Sequence, residues 1–312
     1  MSVSLYWLQG GGCGGDTMSL LSAESPDFPQ ILDLLDIEML WHPSLSNIGA
    51  LEHGELLEKL TSGERRLDIL CLEGAVIRGP GGTGMFNTSM GKPVKDIAAS
   101  LARNAEYVVA IGTCASFGGI GGDGEIEATG LQFGKWDKGS FLGADFAAKS
   151  GLPVINLAGC PVHPAVIRET LATLVGGRAP ELDQYHRPLE WYGMTVHQGC
   201  TRNEYHEYRV EEKEFGERGC LFFYKGCHGP LVYGPCNKTL WNGRSSKTRV
   251  GVPCFGCTRP DFPQKYPFFE TRNIEGIPIE LPDGVQRAHY LAYKGMAAAA
   301  APKRLKERQT RI

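Results

Sequence analysis

Several features are missing from this 312-residue chain, and each absence removes a class of function. Its first ten residues, MSVSLYWLQG, carry no basic stretch and no twin arginine and run straight into what reads as a core strand. An export signal is therefore not expected, and the reading is a cytoplasmic protein, at most peripheral at the inner face of the membrane. No apolar run approaches the roughly 20 residues that cross a bilayer; the alanines Ala297 to Ala301 are too few and follow Lys294 and Gly295. Charge of neither sign is in excess: 32 Lys and Arg face 35 Asp and Glu, a net charge of -3. That balance supplies no broad basic face for nucleic acid. The glycine-rich GPGGTG and GKP lack the Lys-Ser/Thr pair that completes a phosphate loop. No solenoid repeat and no disordered linker is apparent.

Cysteine is what the chain does have, at ten residues. Without an export signal a disulfide framework is not expected, because cytosolic thiols are kept reduced, so metal ligation leads. The sequence changes character along its length. Up to about residue 180, short β-branched runs alternate with amphipathic stretches, and strands are expected at Ser4 to Leu8, Ile37 to Trp41, Leu67 to Leu72, Tyr107 to Ile111 and Pro153 to Leu157. This is a βαβ pattern with a mostly parallel, doubly wound sheet over residues 1–180. Residues 181–312 are rich in Gly, Pro, Cys and aromatics with little periodicity, as in CLFFYKGCHGPLVYGPCNKTLWNG. A segment this irregular needs cohesion from elsewhere, and bound metal is one source. The basic end, APKRLKERQTRI, reads as a helical or frayed solvated surface.

The cysteines fall into three groups. Open α/β sheets bind ligands beyond the carboxyl ends of their strands. Cys13 and Asp16 follow the first expected strand, Cys114 follows YVVAIGT, and Cys160 follows PVINLAG, so the three thiols and the carboxylate are expected to converge. Glu73, in CLEG after the third strand, approaches the same rim as an acceptor supporting the ligands or as an alternate ligand. Thiolates suit iron-sulfur or zinc chemistry, and the surrounding glycines let backbone N–H groups approach an anionic cluster. Cys71 lies inside a strand and reads as core. The second group is His197 and Cys200 in HQGC with Cys220 and Cys227, four donors that suit a closed zinc or a cubane iron-sulfur site. The third is Cys236 with Cys254 and Cys257 in VPCFGC; three thiolates without an obvious fourth suit an iron-sulfur cluster lacking one corner.

In this order, the motifs WLQGGGC, LEG, GTCASFGGI, AGCPVHP, HQGC, YKGCHGP, CNKTLWNG and PCFGC resemble the small subunit of nickel-iron hydrogenases over nearly the whole chain. The resemblance implies a flavodoxin-like N-terminal domain and an irregular iron-sulfur C-terminal domain. It also implies an electron relay of three iron-sulfur clusters. Cys13, Asp16, Cys114 and Cys160 would hold a proximal 4Fe-4S or 3Fe-4S cluster, Cys236, Cys254 and Cys257 a medial 3Fe-4S cluster, and His197, Cys200, Cys220 and Cys227 a distal 4Fe-4S cluster. The hydrogen-splitting site would lie in a separate large subunit, since this chain has no second C-x-x-C for it. Asp16 stands where the family usually has cysteine; it either ligates iron or caps the helix that follows. The aspartate and the missing export signal resemble the cytosolic hydrogen-uptake type of cyanobacteria and actinobacteria. That resemblance implies hydrogen oxidation, a quinone or protein carrier as acceptor, and an oligomer of heterodimers. The spacing from Cys220 to Cys227 is one residue longer than the family pattern. Three rivals stand beside this reading: an iron-sulfur subunit of a related quinone-reducing complex, a zinc-stabilised binding module, and a flavin-binding protein. The first accounts for the first cysteine group alone, and the last wants a hydroxyl-rich loop where Cys13 stands.

Overall fold

The computed structural model describes residues 2–122, 124–264 and 268–307. It divides into two compact units, residues 1–190 with 257–263, and residues 191–256 with 264–312.

The first unit is built on a five-stranded parallel sheet of β1 (Val3–Gln9), β2 (Ile37–Trp41), β3 (Leu67–Glu73), β4 (Ala105–Ile111) and β5 (Ile155–Leu157). Their spatial order is β5-β4-β3-β1-β2, the doubly wound arrangement of flavodoxin-like folds. All seven residues of β3 are buried, as a central parallel strand covered on both faces requires; Cys71 is among them, fully enclosed in the core. The helices are α1 (Gly15–Leu21), α2 (Phe28–Leu34), α3 (Ala50–Ser62), α4 (Val94–Asn104), α5 (Gly112–Phe117) and α6 (Pro164–Val175). In α3 the buried residues His53, Leu56, Leu57 and Leu60 recur at helical spacing, and Gly63, at φ 80°, supplies the left-handed residue that ends the helix. Leu56, Leu57 and Leu60 share one core with Ile97 and Leu101 of α4 and with Leu70 and Leu72 of β3.

The second unit follows the short α7 (Leu189–Tyr192) and has little regular structure: α8 (Asn203–Glu207), a ribbon pairing Asn273–Ile274 with Ile277–Pro278, and α9 (Arg287–Ala300). Its apolar clusters are small, one around Val196, Leu221 and Val232 and another around Phe222 and Phe223. Polar staples supply much of the remaining order. The Arg202 guanidinium pairs with the fully buried Glu212 carboxylate and donates to the carbonyls of Gly219 at 2.7 Å and Thr248 at 3.1 Å. Removing one member of such a buried pair generally costs about 3–5 kcal/mol, because the other charge is left uncompensated. Asn237 donates to the Val196 carbonyl at 2.7 Å and accepts from the Ser246 and Thr248 hydroxyls. The basic end forms a short helix, Lys303–Lys306, with Lys303 and Arg304 exposed, Arg304 paired with Glu204, and Leu305 buried. Residues 308–312 of that stretch lie outside the described residues.

Candidate iron-sulfur sites

β1 and β3 are neighbours, yet the chain continues outward from β1 to β2 and from β3 to β4, so the strand order reverses between them. A crevice opens beyond the carboxyl ends at such a switch point. Cys13 lies just past β1, Glu73 ends β3, Cys114 sits in α5 immediately after β4, and Cys160 follows β5.

Electrostatics place the four donors in one field. Burial pushes the Cys114 thiol up, and Asp16 and Cys13 push it further. The Cys160 thiol is pushed up to about 12, first by burial and then by Cys257, Cys114, Asp16 and Cys13. Burial likewise raises the Asp16 carboxyl to about 7, against the pull of the Val162 N–H and with a further push from Glu73. Mutually repelling anionic donors of this kind hold their charge when a cationic centre sits among them.

Asp16 does not cap the helix it belongs to. α1 has no side-chain cap, and Oδ1 of Asp16 instead accepts the Val162 N–H at 2.7 Å, reaching across to the loop that carries Cys160. Glu73 takes the capping role: its carboxylate accepts the backbone N–H groups of Asp16 and Thr17, both at 3.0 Å, the Trp7 indole N–H at 3.1 Å and the Thr17 hydroxyl. Both Glu73 oxygens are thus engaged by protein donors, which fixes α1 and the carboxylate of Asp16 at its start.

Two glycines make room for the donors. Gly112, at φ +89°, faces Asp16 so closely that a Cβ there would collide with the carboxylate. At Gly119, φ +61°, a Cβ would come within 2.5 Å of the Cys114 sulfur. Each pairs a backbone conformation that side chains disfavour with a space the ligand fills. Thr113 ties the loops together. Its N–H donates to the Gly159 carbonyl at 2.8 Å, while its hydroxyl accepts the Gly159 N–H at 3.0 Å and donates to the Cys257 carbonyl.

In the second unit, burial and the neighbouring Cys227 and Cys200 thiols push the Cys220 thiol up, against a backbone N–H from Phe222. Burial raises Cys227 to about 11, opposed by N–H groups of Gly229, 3.5 Å from its sulfur, and Cys254, at 3.4 Å. Cys200 accepts the Arg202 N–H at 3.4 Å. N–H donors aimed at sulfur are what an iron-sulfur ligand uses to spread its charge. His197 presents a buried Nε2 with no hydrogen-bond partner, and burial keeps its ring neutral, the form that ligates metal. His206, which the sequence did not flag, packs edge-on against His197 with centroids 4.4 Å apart. Burial, His197 and Arg209 push it down to about 3, so its ring is neutral. Of the third cysteine group, Cys236 and Cys254 belong to the second unit and Cys257 to the first.

Among the described residues, no three His, Cys, Asp or Glu side chains close on the spacing of a single metal ion.

Comparison with known proteins agrees with this chemistry. The family model for the C-terminal region of the NiFe/NiFeSe hydrogenase small subunit matches residues 192–270. That for the NADH ubiquinone oxidoreductase 20 Kd subunit matches residues 13–174, so the quinone-reducing rival accounts for the first half alone. The F420 non-reducing hydrogenase II small subunit of Methanosarcina mazei is 33% identical across 88% of this chain and 78% of its own length. The periplasmic [NiFe] hydrogenase small subunit 1 of Nitratidesulfovibrio vulgaris is 30% identical across 86% of this chain and 82% of its own. An actinobacterial-type NiFe-hydrogenase structure from Ralstonia eutropha H16 superposes with a TM-score of 0.76 and 26% identity, covering 100% of this chain and 94% of that one. The NiFeSe hydrogenase of Desulfomicrobium baculatum superposes with a TM-score of 0.73 at 27% identity, covering 87% of this chain and 100% of that one. The chain therefore belongs to the small subunits of nickel-iron hydrogenases, the electron-transfer subunits of these enzymes.

Proposed function

We propose that this chain takes electrons from hydrogen oxidation in a nickel-iron large subunit and passes them, one at a time, through three iron-sulfur sites to an acceptor. The observation that carries the reading is the gathering of Cys13, Asp16, Cys114 and Cys160 at the carboxyl ends of three strands around the β1/β3 switch point. Bound clusters supply the one-electron chemistry; the protein supplies ligands, sulfur-directed hydrogen bonds and burial. Cys13, Cys114 and Cys160 with Asp16 hold the proximal cluster, of 4Fe-4S type. Cys236, Cys254 and Cys257 hold a medial 3Fe-4S cluster, and His197, Cys200, Cys220 and Cys227 a distal 4Fe-4S cluster. Glu73 positions Asp16 through its backbone N–H.

Met85 and Phe86 in GGTGMFN and Ile120 after Cys114 are 57%, 54% and 81% exposed, which suits burial against the large subunit. No helix among the described residues is long and apolar enough to cross a membrane. The proposed setting is cytoplasmic or peripheral to the membrane, in an oligomer of heterodimers, with a quinone or a protein carrier receiving electrons near His197. The purified complex of this chain with its large subunit is expected to reduce a one-electron dye under hydrogen. An equal rate from the large subunit alone would contradict the reading.

A further inference from the structure

We propose that His206 is a positioning residue of the distal site, donating a hydrogen bond from Nδ1–H to the sulfur of Cys220 and thereby setting the potential at which that site accepts electrons. The inference rests on the reading of Cys220 as a cluster ligand. Nδ1 of His206 lies 3.6 Å from the Cys220 sulfur. A ligating thiolate has no proton to give, so the nitrogen facing it carries the hydrogen, and the ring is the Nδ1–H tautomer.

The ring is held from several sides. It stacks on Phe223 with centroids 5.3 Å apart and 17° between planes, leans on Phe222 at 5.4 Å and meets the edge of His197 at 4.4 Å. Its backbone N–H donates to the Arg202 carbonyl at 3.3 Å, and the Arg202 side chain is pinned by Glu212, Gly219 and Thr248. The Arg209 guanidinium, 4.1 Å from the centre of the Phe223 ring, places a positive charge within the field of His206. One imidazole therefore touches a thiol ligand and a histidine ligand of the same site.

An N–H aimed at a ligand sulfur stabilises the more negative, reduced cluster and raises its potential. His206→Phe keeps a ring of similar size between Phe222 and Phe223 but removes the donor. His206→Asn keeps an N–H at the reach of Nδ1. A potentiometric titration of the whole complex followed by electron paramagnetic resonance compares the two. In His206→Phe the ratio of reduced to oxidised distal site at fixed potential is expected to fall at least threefold, about 28 mV at 59 mV per tenfold for a one-electron couple. His206→Asn is expected to recover at least half of that shift. An unchanged distal midpoint in His206→Phe with its full iron content overturns the proposal.

If His206→Phe fails to assemble, hyperfine spectroscopy on complex labelled with 15N-histidine decides. A weakly coupled nitrogen present in the wild type and absent from His206→Asn supports the hydrogen bond; identical nitrogen couplings in both overturn it. A wild-type complex with no distal cluster signal would instead overturn the assignment of Cys220 and His197 as ligands.

Discussion

Replacing Asp16 with alanine is expected to cost the proximal site one iron and to add a second 3Fe-4S spin to each copy of the chain. The carboxylate is the fourth donor among three thiols, and its nearest substitute is already committed. Glu73, the carboxylate beside it, spends both oxygens on Trp7, Thr17 and the start of α1. Alanine also strands the Val162 N–H, which donates to Asp16 at 2.7 Å, and an unsatisfied buried donor costs about 1–3 kcal/mol. The loop carrying Cys160 should loosen with it. Asp16→Cys separates ligation from support: a thiolate can ligate iron but accepts the Val162 N–H weakly, so the four-iron cluster should persist with a changed spectrum and potential. Gly112, without a Cβ, leaves the space that the side chain at position 16 occupies. Unchanged spectra and iron content in both variants would show that Asp16 never touches iron.

The second large effect is expected at Cys254. Cys254→Ser replaces a soft thiolate with a hydroxyl at a nearly buried position whose backbone N–H also supports the Cys227 sulfur at 3.4 Å. The backbone contacts, including the His228 N–H donating to the Cys254 carbonyl at 2.7 Å, do not involve the side chain and should survive. Hydrogen splitting, followed as isotope exchange at the large subunit, should therefore stay near wild type, while electron delivery to an acceptor beyond the distal site falls at least about tenfold, or ~1.4 kcal/mol of barrier. Full electron delivery in the variant would remove Cys254 from the path.

Much of the first unit is legible in the sequence because its signals are local. The five strands appear where alternating and continuous apolar runs place them, with β1, β3 and β4 extending one or two residues further than expected and β5 starting only at Ile155, two residues after the expected Pro153. Cys71 is enclosed in β3, as a cysteine flanked by Ile69, Leu70 and Leu72 inside a strand implies. What supports the candidate ligands was less visible, because it depends on contacts between residues far apart in the chain. Glu73 reaches α1 across 57 positions, and Thr113 reaches Cys257 across 144. LEG offers Glu73 as a carboxylate that could support the ligands and GTC a small hydroxyl beside one, but neither motif shows which groups they meet. The irregular second unit offered least: Arg202, His206 and Asn237 lie in segments without periodicity, and their roles emerge only when Glu212, Cys220 and Val196 are brought beside them. The grouping of residues 257–263 with the first unit is another such long-range outcome, with Arg187 donating to the Thr258 carbonyl at 3.0 Å.

Low-temperature electron paramagnetic resonance of the oxidised complex, combined with iron analysis, tests the relay most directly by counting 3Fe-4S spins per copy of this chain. One such spin, from the medial site alone, is the result expected if Asp16 completes the proximal cluster and His197 the distal one. Additional 3Fe-4S signal would show that Asp16 or the longer Cys220 to Cys227 loop fails to hold its iron, and the absence of any iron-sulfur signal would contradict the relay itself.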